Sequence, residues 1–170
     1  VAAASKAAKF WLDRGGFKTK ILGTEKIGQV HFFYTGDSKK LTAFFKKTKA
    51  SFFEESRHLT KKMETRGGGI SSIELRNMTQ KLPNYYQLHC TFETQDAMGA
   101  NFINSCLEQF ATTLEEKATI EGLISEGESL EVVMSILSNY VPNCLVRAEV
   151  SCPISELDLH KDVSPEKFAE

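Results

Sequence analysis

The sequence has no apolar run approaching the roughly 18 residues that a membrane span requires. Its first residues, VAAASKAAKFW, lack the basic start and long apolar stretch of a secretory leader. Neither sign of charge is in excess: 21 basic residues face 22 acidic ones, a net charge of -1. Nothing general therefore points to nucleic acid or to a membrane surface as partner. The four cysteines, Cys90, Cys106, Cys144 and Cys152, form no CxxC pair. They read as reduced, mostly buried thiols of a cytoplasmic protein. The four histidines, His31, His58, His89 and His160, are scattered, and no metal-ligand spacing joins them.

What the sequence does contain is an ordinary globular balance, 41% hydrophobic and 25% charged, over 170 residues. That is enough for one domain with flanking pieces. Residues 2–13 are predicted to form a helix, with Ala4, Ala7, Ala8, Trp11 and Leu12 on one stripe and Gly15-Gly16 as its stop. The pattern begins without a cap before Val1, as expected of a piece of a longer chain. An extended segment is predicted over 30–35. Asp37 or Ser38 caps a helix predicted to run to Met63, with Leu41, Phe44, Phe45, Phe52, Leu59 and Met63 at helical spacing. Gly67-Gly68-Gly69 breaks it. Strands are predicted over 70–75 and 85–94, joined by a loop at 77–84. In the second of these, Tyr86, Leu88, Cys90 and Phe92 alternate with Tyr85, Gln87, His89, Thr91 and Glu93. A helix is predicted from Asp96 to Leu114, with Phe102, Ile103, Cys106, Leu107 and Phe110 on its apolar face. A polar helix-prone stretch follows to Ile124, then strands over 132–137 and 145–151. Ser164-Pro165-Glu166 reads as a further helix start.

The core order is β-α-β-β-α-β. It predicts an α+β ferredoxin-like sandwich, a four-stranded antiparallel sheet with helices on one face. That architecture hosts many activities and assigns none.

Asp96-Ala97-Met98-Gly99-Ala100-Asn101 lies at a strand-to-helix junction, where backbone N–H groups and the positive end of a helix dipole face outward. Small residues there let a ligand approach, as a pyrophosphate or ribose site requires. The same residues equally suit a plain structural role, with Asp96 as a cap and Gly99 as a packing glycine. Two other classes of function fit less well. An RNA-binding sheet would need exposed aromatics and the signature motif of such domains, which is absent. A nucleophilic enzyme would need a base beside Ser105 or Cys106, and none is apparent. A non-catalytic small-molecule-binding regulatory domain of the same topology is an alternative.

The DAMGAN segment is similar to the signature that lines the nicotinamide site of hydroxymethylglutaryl-coenzyme A reductases. Other segments resemble that family, in its class II, bacterial-type form, in the same order along the chain: VAAAS at 1–5, GGF at 15–17, GGG at 67–69, ILSN at 136–139 and RAEV at 147–150. The resemblance implies a two-step reduction of the hydroxymethylglutaryl-CoA thioester to mevalonate and free CoA by NAD(P)H, or the reverse. It implies that Asp96 contacts the nicotinamide end, that Met98, Gly99, Ala100 and Asn101 cradle the cofactor, and that Asn139 approaches the nicotinamide. Thr60 and Lys62 fall where the family chooses between NAD and NADP. A neutral Thr60 with Arg57, His58, Lys61 and Lys62 around it implies a preference for NADPH over NADH, although a merely solvated basic helix face would look the same. The family's catalytic Glu, Lys, Asp and His map before Val1 or beyond Glu170, so the chain alone is expected to be inactive. By the same resemblance, residues 1–24 are a helix and lead-in segment of a substrate domain, 25–140 the cofactor domain, and 141–170 the return to the substrate domain. A homodimer is implied, with no nucleic acid and no membrane as partner.

Overall fold

The computed structural model describes residues 1–157 and 164–169. His160 lies outside the described residues. Ten elements and one short 3-10 turn follow one another: α1 (Ala2–Leu12), β1 (Lys18–Tyr34), α2 (Ser38–Glu55), α3 (Arg57–Glu64), β2 (Gly69–Asn77), β3 (Tyr85–Glu93), α4 (Ala100–Ile120), β4 (Leu130–Leu137), β5 (Cys144–Glu149), the turn Ile154–Glu156, and α5 (Pro165–Ala169). They divide into two compact units, Gly23–Cys144 and Val1–Leu22 with Leu145–Glu170.

In the central unit the strands run in the order β2-β3-β1-β4, with every neighbouring pair antiparallel. This is the ferredoxin-like order expected from the sequence. Alternation explains the burial. Val30, Phe32 and Tyr34 of β1 and Tyr86, Leu88, Cys90 and Phe92 of β3 point to one face and are buried under the helices. Three phenylalanines tie the layers together: Phe52 of α2 meets Phe110 of α4 edge-on at 6.0 Å, and Phe110 stacks on Phe92 of β3 at 6.4 Å. Each fully buried ring of this kind contributes roughly 1.5–3 kcal/mol. A polar pin fixes the same contact, since Glu55 at the end of α2 accepts from Thr113 Oγ1 at 2.8 Å and pairs with Lys117 at 2.9 Å.

Three boundaries differ from the sequence expectation. The helix predicted from Ser38 to Met63 is two helices, parted at Ser56, whose φ of -87° and ψ of -3° depart from regular helix values. Periodicity misses this break because a single-residue irregularity leaves the apolar spacing intact: Met63 is still buried. β1 starts at Lys18, well before the predicted extended segment, because polar KTK and GTEK stretches carry no alternating signal. α4 begins at Ala100 rather than Asp96, and it continues through the polar stretch to Ile120.

The late start of α4 has a local cause. Gln95 takes a positive φ of 53°, and Gly99 stands before the helix at φ 73°. A Cβ on Gly99 would lie 2.6 Å from Thr94 Cγ2. Thr94 is buried and braces the turn from within, donating to the Ala97 carbonyl at 2.8 Å and accepting from Lys26 Nζ at 2.6 Å. Gly99 is thus required both by dihedral and by space.

In the other unit Arg14 pairs with Glu156 at 2.8 Å and lies 3.7 Å over the Phe10 ring. None of the α1 residues is buried among the described residues. α5 begins at Pro165, at the predicted helix start. No helix among the described residues is long and apolar enough to cross a membrane.

Two predictions follow from this packing. Gly99→Ala should lower stability by about 1–3 kcal/mol through left-handed strain and the Thr94 contact, read as a fall in the denaturation midpoint; a midpoint unchanged from wild type would refute the tight turn. The second concerns pH. Burial holds both His31 and His89 below the ordinary histidine value; at His89 the Arg76 charge adds to the depression while Glu74 and Glu25 oppose it. Below about pH 6.5 the unfolded chain therefore takes up protons that the folded chain refuses. Stability should fall as pH drops through that value and level off below the depressed folded values. Thermal melts between pH 7.5 and pH 5 should show the loss, smaller in His89→Gln.

Candidate functional site

The residues singled out by the sequence gather at one end of the central unit, where three connections meet. The turn after α3 reaches the turn before α4 through an ion pair, Arg66 to Asp96 at 3.0 Å, and through Gln95 Nε2 donating to the Gly67 carbonyl at 3.0 Å. Gly68 permits this approach: a Cβ there would lie 2.4 Å from the Glu93 carbonyl oxygen. The end of β4 is held against α4 by Leu137 N–H donating to Asn104 Oδ1 at 3.2 Å, and against β1 by Ser138 N–H donating to the Ile27 carbonyl at 2.8 Å.

Between α3 and the first turns of α4 lies a slot of about 450 Å³. Leu59, Met63 and Phe102 form its apolar walls; Lys62, Arg66, Asn101 and Ser105 supply its polar groups. The basic side is not neutralised evenly. Arg66 is paired with Asp96, whereas Lys62 makes no ion pair among the described residues. No side chain caps α4, and its first turn carries no acidic residue. An uncapped helix start beside a free lysine offers N–H donors and positive potential to an anion, and the apolar walls suit a flat ring. Among the described residues no group of three metal-ligating side chains converges.

The structure brings Lys62 and Asn101 into this one slot. Gly99 stands at the N-cap of α4 and Ala100 is its first residue, next in sequence to the slot-lining Asn101; Met98, just before them, is 76% exposed. Asp96 is exposed and does not cap α4; its carboxylate is engaged by Arg66 instead. Asn139 is exposed just beyond the end of β4 and does not line the slot. Thr60 is 2% exposed, and its hydroxyl donates to Glu64 Oε1 at 2.6 Å, while Lys62 and Arg66 line the slot. Sequence reasoning missed Arg66 and Ser105, although helical spacing carried the signal: Arg66 follows Lys62 by four positions and Ser105 follows Asn101 by four.

The family model described as hydroxymethylglutaryl-coenzyme A reductase matches residues 1–170. A curated relative, the 3-hydroxy-3-methylglutaryl-coenzyme A reductase of Archaeoglobus fulgidus, is 29% identical over 149 residues, which is 88% of this chain and 32% of the relative. Among solved structures, the class II 3-hydroxy-3-methylglutaryl-CoA reductase of Streptococcus pneumoniae bound to NADPH in open conformations superposes with a TM-score of 0.74 and 28% identity, covering 99% of this chain and 42% of that one. A second structure of the Streptococcus pneumoniae reductase gives a TM-score of 0.74 at 29% identity, covering 99% of this chain and 37% of that one. The chain thus spans about a third of the curated relative and about two fifths of these solved chains. A match along all 170 residues, carried by the same fold, places the chain in the hydroxymethylglutaryl-coenzyme A reductase family.

Proposed function

We propose that this chain is the nicotinamide-cofactor-binding portion of a reductase that converts hydroxymethylglutaryl-CoA to mevalonate and CoA, or runs the reverse reaction, with NADPH as its preferred cofactor. The observation that carries the reading is the slot in which Lys62 and Arg66 face Asn101 and Ser105 beside the uncapped start of α4. When bound, the cofactor supplies hydride; the residues of this chain bind and orient it.

Lys62 and Arg66 attract phosphate, and the guanidinium can hold it in a bidentate grip once Asp96 releases or shares it. The N–H groups of the first turn of α4 receive a second anionic group. Gly99, packed on Thr94 at a positive φ, sets the turn that presents the start of α4 to the ligand. Leu59, Met63 and Phe102 take the flat ring and exclude water from one side of it. Asp96 and Asn139, on the two turns at this end of the unit, are assigned to the nicotinamide end. No residue here is assigned a proton transfer. Those steps belong to the carboxylate, ammonium and imidazole groups that the family supplies from outside this stretch. Residues 25–140 act as the cofactor domain; 1–24 and 141–170 belong to the substrate domain, and the full protein works as a homodimer.

Fluorescence titration of the chain with NADPH and NADH tests the proposal. NADPH should bind more tightly. Lys62→Glu should weaken NADPH by roughly tenfold and NADH by no more than about twofold. Tighter binding of NADH, or equal weakening of both, would overturn the preference; failure of either nucleotide to bind in the full-length protein would overturn the assignment of the slot.

A further inference from the structure

The connection from β3 to α4 holds a residue whose backbone does not suit it. Ala97 N–H donates to the Thr94 carbonyl at 2.9 Å and closes a four-residue turn. Gln95, at the first central position of that turn, has a φ of 53°, while Asp96 at the second stays out of the positive range. Glycine dominates first positions of this kind, because an L side chain there is strained. Such strain persists only where the surroundings over-determine the backbone. Here they do. Glu93 Oε1 accepts from Gln95 N–H at 2.7 Å and from Thr24 Oγ1 at 2.5 Å. Thr94 Oγ1 donates to the Ala97 carbonyl at 2.8 Å while Lys26 Nζ donates to it at 2.6 Å.

What Gln95 has and glycine lacks is a side chain, and that side chain is engaged. Its Nε2 donates to the Gly67 carbonyl at 3.0 Å. Gly67 belongs to the turn that ends α3, where the N–H groups of Gly67 and Gly68 return to the Glu64 and Met63 carbonyls at 2.9 and 3.0 Å. Arg66, next in the chain to Gly67, lines the slot; Asp96, next to Gln95, holds its guanidinium. Two ties therefore run side by side between the same turns, and they differ in kind. Arg66 and Asp96 are 54% and 86% exposed, and an ion pair so open to water contributes little. It is also lost when the guanidinium turns to a phosphate. The Gln95 tie runs to backbone, makes no claim on the guanidinium, and survives that exchange.

We propose that Gln95 is a positioning residue for the cofactor: its bridge to Gly67 keeps Arg66 facing Asn101 across the slot after Asp96 has let the guanidinium go. The role rests on the slot being the phosphate site of a nicotinamide nucleotide. It accounts for a strained glutamine where glycine would be free of strain, since glycine could hold the turn but could not reach Gly67.

Fluorescence titration of the full-length protein with NADPH and NADH is the test. Gln95→Gly accepts the positive φ and removes only the bridge. Gln95→Asn tolerates the same φ with a side chain one methylene too short. Both should weaken NADPH by roughly threefold to tenfold and NADH by no more than about twofold. The denaturation midpoint of Gln95→Gly should hold, because relief of strain offsets the lost hydrogen bond. In an Arg66→Ala background Gln95→Gly should cost no further NADPH affinity, since the group that it positions is gone. Wild-type NADPH affinity in both Gln95 variants would overturn this role and leave the slot standing. Equal loss of both nucleotides, or an undiminished loss in the Arg66→Ala background, would overturn it too, because Gln95 would then shape the turn at large. Failure of the wild-type protein to bind either nucleotide would remove the slot, and this role with it.

Discussion

The close seating of α4 on β1 is the constraint from which the cofactor end of the molecule follows. Gly28 makes it possible: a Cβ at that position would lie 2.6 Å from Leu107 Cδ1 and 3.1 Å from Ile103 Cγ2. With no side chain there, α4 lies low over the sheet, and Phe110 reaches both Phe92 below and Phe52 beside it. Once the helix axis is set this way, its first turn arrives next to the end of β4, where Asn104 accepts from Leu137, and next to α3, where Phe102 closes the slot. The ligand-facing geometry is thus a by-product of core packing, and the site residues need only be correct in type once the helix is placed.

What the sequence disclosed depended on whether a feature is periodic or local. The alternation of Tyr86, Leu88, Cys90 and Phe92 and the spacing of Leu41, Phe44, Phe45 and Phe52 report the side that faces the core, and the β-α-β-β-α-β order was legible from them. The start of α4 was not. Asp96 has every local attribute of a cap, but Thr94 and Gly99 shape a turn that carries the chain four residues further before the helix begins, and the Asp96 carboxylate turns to Arg66 across the loop. That ion pair joins positions 30 apart and leaves no trace in spacing. Thr60 was singled out by family resemblance, and the spacing from Ser56 to Thr60 to Met63 puts it on the buried stripe. Lys62, two residues on, falls on the outer face and remains available.

The same distinction separates the two faces of the sheet. The residues on the helix face are apolar and were identifiable as core. The opposite row of β3, Gln87, His89 and Thr91, reads as polar and hence solvated, yet Gln87 and His89 are nearly as buried as the core. Neighbours on β1 and β2 flank His89, and the loop after β4 adds a wall. His31, Tyr85 and Gln87 satisfy one another by hydrogen bonds on this face.

A net charge of -1 conceals this arrangement. Cations of Lys62 and Arg66 sit on the helix side, and the carboxylates Glu25 and Glu74 outnumber Arg76 on the sheet side. Averaged over the chain, the charges cancel and suggest indifference to charged partners. Resolved by face, they differ: cations border the start of α4, and carboxylates outnumber the guanidinium over β3. Screening over about 8–10 Å in ordinary salt keeps each set of charges local.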